Sequence, residues 1–333
     1  MNNRRVEQPL ILIIGYNRAD YLDEIVRLVM KENRPFLVSL DGPKNKDDYQ
    51  ALECQMVLNR ILSLKNNFLV SSRVSETNLG CKRGVIESIT WGFTFSESLI
   101  IIEDDIRPLK VFYEFMDWAL GRFRKDSEVF LINGWSPNYA LGDEQIIPYF
   151  RSRHFSPWGW GTWLNRWREY DSELTHYNKT QPLRQLPGLV DYKLNSFFEA
   201  RMKYKLSQCQ SGYDTWDYQL LFSMWRYGGK AITPTRRLTS NVGFDKRATH
   251  TRKPLKFTSE YFYSQDYKAS QRTNSLIFQE VSKSASELDY TIDKMTIGFN
   301  TRKGVFGFIS ASGILFRDRI RNSFNKLLYR VFE

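Results

Sequence analysis

Leu99-Ile100-Ile101-Ile102-Glu103-Asp104-Asp105 runs four apolar residues straight into three carboxylates. A continuous apolar run of this kind predicts a strand buried on both faces, the habit of a parallel sheet covered by helices. Ligands of such sheets gather just beyond the carboxyl ends of the strands. Three adjacent acids there repel one another, so their ionised forms need a cation nearby. Hard divalent ions such as Mg²⁺ or Mn²⁺ take oxygen ligands and are shared with substrate phosphates. The stretch therefore predicts a metal–diphosphate site at a strand end. An exposed acidic loop after an ordinary strand is the competing reading.

Working outward, strand and helix patterns alternate. Leu10 to Ile14, Phe36 to Leu40, Phe68-Leu69-Val70 and Val129 to Ile132 read as further strands. Helical spacing joins Leu22, Ile25, Val26, Val29 and Met30, and again Ile86, Ile89 and Phe93, and Phe112, Phe115, Met116 and Ala119. Strands separated by helices of this length predict an α/β chain with a mostly parallel, helix-covered sheet. From about 135 to 245 the chain is rich in Trp and Tyr and broken by Gly and Pro. Tyr218, Leu221, Phe222 and Trp225 mark a helix there, directly after Asp214-Thr215-Trp216-Asp217. Beyond about 246 the chain turns polar and basic.

The 333 residues are enough for one large domain with an extension, and the 42% hydrophobic and 15% aromatic fractions exclude general disorder. Cys54, Cys81 and Cys209 are scattered and odd in number, which gives no disulfide framework and no zinc spacing and fits a reducing cytosol. The N-terminal residues lack the pattern of a signal peptide, and no run approaches the ~20 apolar residues of a membrane span. A net charge of +11 predicts an anionic partner.

Four loops come after four of the strands: Gly15-Tyr16-Asn17-Arg18, Asp41-Gly42, Glu103-Asp104-Asp105 and Asn133-Gly134. In a doubly wound sheet they share one edge. Arg18 suits a phosphate or ribose and Asp41 a base N–H. A surface charge and a turn residue are their respective alternatives. Asn78-Leu79-Gly80-Cys81-Lys82-Arg83-Gly84 sets two cations, Lys82 and Arg83, beside glycines at a helix start, where a diphosphate can approach. Neither a dinucleotide-binding fingerprint nor a P-loop is present.

This arrangement resembles the GT-A glycosyltransferases of the broad family 2 type, and is similar to the eukaryotic N-acetylglucosaminyltransferase that begins hybrid N-glycan formation. The apolar strand ending in Glu-Asp-Asp resembles their DxD motif, though it is not a strict Asp-x-Asp. The likeness runs on through His154 to Trp163, Asp214 to Gln219, Ser240 to Phe244 and Ala248-Thr249-His250-Thr251, and so covers roughly residues 8 to 251. It implies a GT-A fold with a mostly parallel central sheet over residues 1–250, divided into a nucleotide-binding half (1–134) and an acceptor half (135–250). A basic C-terminal extension (251–333) completes the chain. It implies a metal-dependent, inverting transferase that moves a hexosyl or N-acetylhexosaminyl group from a nucleotide-sugar, UDP-linked, to a glycan or lipid-linked acceptor. Surface polysaccharide or glycoconjugate synthesis would be the setting. On this likeness Asp105 is the direct ligand of Mn²⁺ or Mg²⁺ and His250 a further one. Glu103 and Asp104 lie by the ribose and diphosphate, Asp41 by the uracil, and Tyr16 and Arg18 by the nucleotide.

In such a transfer a carboxylate takes the acceptor hydroxyl's proton while the cation offsets charge on the leaving diphosphate. The likeness favours Asp217 as base, with Asp214 as rival or helix cap. Trp158 and Trp160, beside glycines, offer a platform for sugar rings, core packing being the alternative. A nucleotidyltransferase of the same fold and a non-enzymatic sugar- or nucleic-acid-binding protein are the rival functions, although the acid triplet speaks against nucleic acid. Ile320, Phe324, Leu327, Leu328 and Val331 recur at helical spacing among arginines, which predicts either packing on the domain or peripheral contact with an anionic membrane, on its cytoplasmic face.

Overall fold

The computed structural model describes residues 8–64, 67–136, 146–177, 182–190, 196–243, 277–280 and 289. The strands are β1 (Leu10–Gly15), β2 (Phe36–Leu40), β3 (Leu69–Val74), β4 (Ser98–Glu103), β5 (Ile106–Pro108) and β6 (Val129–Asn133). They continue as β7 (Ile146–Ser152), β8 (Trp160–Trp163), β9 (Lys230–Pro234), β10 (Thr239–Asn241) and β11 (Ile277–Glu280). The helices are α1 (Ala19–Lys31), α2 (Tyr49–Ser63), α3 (Gly80–Gly92), α4 (Lys110–Arg122), α5 (Leu164–Trp167), α6 (Ser196–Gln210) and α7 (Asp217–Arg226).

The apolar runs behave as the sequence predicts. In β1 Leu10, Leu12 and Ile14 point to one face of the sheet, in one apolar cluster with Val85 and Ile89 of α3, Phe93 just after it and the apolar side of α7. Ile11 and Ile13 point to the other, against Leu22, Ile25, Val26 and Val29 of α1 and Phe112, Phe115 and Met116 of α4. In β4 the same alternation sends Leu99 and Ile101 one way and Ile100 and Ile102 the other. Burying each such side chain is worth about 1.5–3 kcal/mol, which fixes the register of both strands.

Nine strands form one sheet in the order β11-β7-β9-β6-β8-β4-β1-β2-β3. The β3-β2-β1-β4 portion is parallel throughout. β8 then runs antiparallel to both β4 and β6, so β6 regains the direction of β4. The carboxyl ends of β1, β2, β4 and β6 therefore share one edge of the sheet, as the four polar loops predict. β8 itself was not legible as a strand. Its entry is a turn at Gly159, where φ is +78° and a Cβ would lie 2.9 Å from Thr239 Cγ2. Only glycine adopts that conformation there without strain.

A separate two-stranded sheet pairs β5 with β10, setting Ile106 opposite Asn241. It draws residues 239–243 back over the acids that end β4. Beyond residue 250, β11 pairs in parallel with β7 and Asp289 is wholly buried. The Ile320 to Val331 stretch and the Ala248 to Thr251 motif lie outside the described residues. No helix among the described residues is long and apolar enough to cross a membrane.

Candidate functional site

The backbone amide of Asp104 continues the β1–β4 ladder by donating to Ile14 O at 2.9 Å, which fixes the acid loop beside the Gly15–Arg18 loop. Arg18 Nη1 lies 2.6 Å from Asp105 Oδ2 and 3.4 Å from Asp104 Oδ1. Tyr16 N donates to Asp104 Oδ2 at 3.4 Å. Burial works against the charged guanidinium, but Asp104 and then Asp105 outweigh it and hold Arg18 above its ordinary pKa. Burial also pushes the Asp104 carboxyl up, with Arg18 opposing. Glu103 is raised by desolvation and then by its two acidic neighbours.

Two residues that the sequence reading missed complete this cluster. Arg107 Nη1 donates to the carbonyls of Asp104 at 2.7 Å and Ile106 at 3.1 Å, while its Nη2 pairs with Glu24 at 2.7 Å. Tyr21 presents its ring to both Arg18 and Arg107, at 5.8 and 5.2 Å from the centroid. Its hydroxyl donates to Val242 O at 3.1 Å, and Val242 N donates to Asp105 O at 2.8 Å. The 240–243 segment thereby roofs the acids. Arg107, in the residues just after the triplet, was the one available signal.

Asp41 braces its own loop. Its Oδ1 accepts from Gly42 N and Leu79 N, each at 2.8 Å, and its Oδ2 accepts from Asn78 Nδ2 at 2.8 Å. Burial nevertheless leaves its pKa raised. Tyr16 donates its hydroxyl to Asp48 at 2.5 Å, which turns it toward α2. Lys82 pairs with Glu173 at 2.6 Å, and Arg83, largely exposed, pairs with Glu87 one turn along α3.

The start of α3 is not open to a diphosphate as the sequence suggests. The Asp214 carboxylate occupies it, accepting from Cys81 N at 3.0 Å and Lys82 N at 2.7 Å. Gly80, at φ +78°, has no side chain to obstruct this, since a Cβ would stand 3.0 Å from Asp214 Oδ2. Asp214 thus caps a helix, but one more than a hundred residues away in sequence rather than its own. Asp217 opens α7 and accepts from the Thr215 hydroxyl. It stands close enough to the strand-end acids that its charge contributes to the raised pKa of Glu103. Lys205 of α6, which no sequence signal marked, is also within its field, and burial lowers the ammonium's pKa.

Trp160 is not a sugar platform. It is 1% exposed in β8, stacked on Trp216 with centroids 5.6 Å apart and edge-on to Phe155 at 5.0 Å. Trp158 is half-buried and meets Trp135 edge-to-face at 4.5 Å. His250 lies outside the described residues. Among the described residues no group of three or more His, Cys, Asp or Glu side chains is arranged to hold a metal ion.

No protein-family model matches the chain. No curated protein matches it either. Solved structures that match include the mannosyltransferase PcManGT of Pyrobaculum calidifontis in complex with GDP-Man and Mn²⁺. That match has a TM-score of 0.33 and 10% identity, over 48% of this chain and 46% of the other. This chain therefore spans about half the length of that structure, and a likeness of this size carries no argument for its fold or chemistry.

Proposed function

We propose that this chain is a GT-A-type, inverting glycosyltransferase that uses a UDP-linked sugar and a glycan or lipid-linked acceptor. The observation that carries the reading is the meeting of two chain halves at one sheet edge. The Glu103-Asp104-Asp105 triplet ends a buried strand, parallel to β1, beside Arg18, and Asp217, from beyond residue 210, is near enough for its charge to raise the pKa of Glu103. Asp214, spent on α3, leaves Asp217 as the carboxylate suited to take the acceptor's proton. Arg18 supplies positive charge for the departing diphosphate. Trp158 borders the acceptor side.

The carboxylates fit a divalent cation chemically, being hard anionic oxygens. Mg²⁺-type sites commonly use one or two carboxylates plus substrate phosphates rather than a full protein cage, so the lack of a three-ligand cluster among the described residues is no misfit. Asp105 would hold the ion, with Glu103 and Asp104 by the ribose and diphosphate. When bound, it would neutralise charge on the leaving phosphates.

Asp217→Asn keeps the side chain's shape and removes its basicity. Turnover of UDP-sugar with acceptor should fall about 10²–10⁴-fold while donor affinity stays nearly intact. Full turnover in the variant would remove Asp217 from the role and with it the support for this reading.

A further inference from the structure

We propose that the Arg18 guanidinium is the resident counter-ion of the Asp104–Asp105 pair, standing where a divalent cation would bind, so that the cation and Arg18 exclude one another at Asp105. The proposal rests on the glycosyltransferase reading only for the identity of the cation.

Three features carry it. First, the contact is direct: Arg18 Nη1 stands 2.6 Å from Asp105 Oδ2, with side-chain exposures of only 13% and 12%. Second, Asp105 Oδ2 is closed in on two sides, by Arg18 and by Gly243. The Gly243 backbone closes over it so tightly that a Cβ on Gly243 would lie 1.9 Å from Oδ2 and 2.8 Å from Arg18 Nη1. A cation approaching that oxygen must displace the guanidinium or lift the roof, and the roof is tied down by Val242 N on Asp105 O and by the Tyr21 hydroxyl on Val242 O. Third, Arg18 is incompletely satisfied where it is. Its Nε is buried with no hydrogen-bond partner among the described residues. A buried donor without a partner is costly, so this station is one that Arg18 can leave when a phosphate offers its own acceptors. Arg107 does not replace it: its Nε is likewise without a partner among the described residues, but its Nη1 and Nη2 are committed to backbone carbonyls and to Glu24 and not to the Asp105 carboxylate.

The electrostatics give the direction. A guanidinium and a divalent ion compete for one carboxylate oxygen, and at a site with little water their mutual repulsion is large. Removing the resident charge should tighten binding of the bare ion, whereas adding phosphate should relieve the competition in the wild type alone.

The test is Mn²⁺ titration of the full chain without nucleotide, followed by electron paramagnetic resonance of free Mn²⁺, for wild type, Arg18→Gln, Arg18→Lys and Arg18→Gln/Asp105→Asn. Arg18→Gln should bind Mn²⁺ at least about tenfold more tightly than wild type. Arg18→Lys, which keeps the charge, should stay near wild type and serves if the Gln variant fails to fold: a Lys variant binding as tightly as expected for Gln would refute competition by charge. The double variant should lose the gain. UDP should tighten Mn²⁺ binding by a larger factor in wild type than in Arg18→Gln. Unchanged or weaker Mn²⁺ affinity in folded Arg18→Gln, or a gain that survives loss of Asp105, overturns the proposal. Either outcome leaves the function itself to the Asp217→Asn turnover measurement, so the two failures are distinguishable.

Discussion

Asp214→Ala tests the way the two halves of the chain are joined at the site. In the folded protein its carboxylate takes two backbone N–H groups at the start of α3 that would otherwise lack intrahelical partners. Losing a capping acceptor costs about 0.5–2 kcal/mol. Losing a negative charge at a helix N-terminus costs about 0.3–1 kcal/mol more at exposed sites. Asp214 is exposed, so the lower part of each range applies and the sum is about 1–2 kcal/mol. For a domain of this size about 1 kcal/mol moves the melting temperature by roughly 2–4 °C, so a fall of about 2–8 °C is expected. Thermal unfolding reads that fall, and hydrogen exchange should show the Cys81 and Lys82 amides losing protection while the β1 and β4 amides keep theirs. Asp214→Asn, with one acceptor oxygen left, should fall between. An unchanged melting temperature with unchanged exchange at 80–83 would refute the capping role. A collapse of turnover as deep as that of Asp217→Asn, with α3 exchange intact, would make Asp214 the base instead.

Three further outcomes come from buried geometry. Asp289 is fully buried and accepts from Ser152 Oγ at 2.6 Å and Arg153 N at 3.1 Å, with Arg153 Nη1 at 3.5 Å. Asp289→Ala should therefore cost about 1–3 kcal/mol in urea unfolding, as expected when buried donors lose their acceptor; a loss well below about 1 kcal/mol would count against this anchor. Burial holds the Asp289 pKa above its unfolded value, near 3.9, so the folded state binds that proton more tightly. The stability of wild type relative to Asp289→Asn should accordingly be highest below that value and decline as pH rises through the folded one, and a difference that stays flat from about pH 3 to 7 would contradict the sign. Gly243→Ala forces a Cβ against Asp105, so the 240–243 roof must lift; proteolysis or exchange of that segment should increase, and an unaltered roof would refute the close packing.

Local pattern was enough to reveal the sheet's buried strands and the chemistry at their ends. Leu10 to Ile14 and Leu99 to Ile102 are apolar on both faces because helices cover both, and an apolar run leading into acids carries that meaning locally. The alternation of strands and helices with short connections likewise indicated the parallel pairing seen in β3-β2-β1-β4. Local pattern did not say which distant group each polar side chain meets. Trp160-Gly161-Thr162-Trp163 does not read as a strand because four residues carry too little pattern, and only its partners β4 and β6 make it one. Ile277 to Glu280 reads as part of a polar extension, yet β7 supplies the hydrogen bonds that make it a strand of the sheet. Asp214 looks like a cap for the helix three residues on, but the left-handed turn at Gly80 opens α3 to it instead. Arg18 looks like a ligand-facing cation, and the fold sets it on Asp105, 87 residues away. Burial and backbone period are properties of neighbouring residues and so are written in the chain, whereas the pairing of charges depends on where the fold brings them together in space.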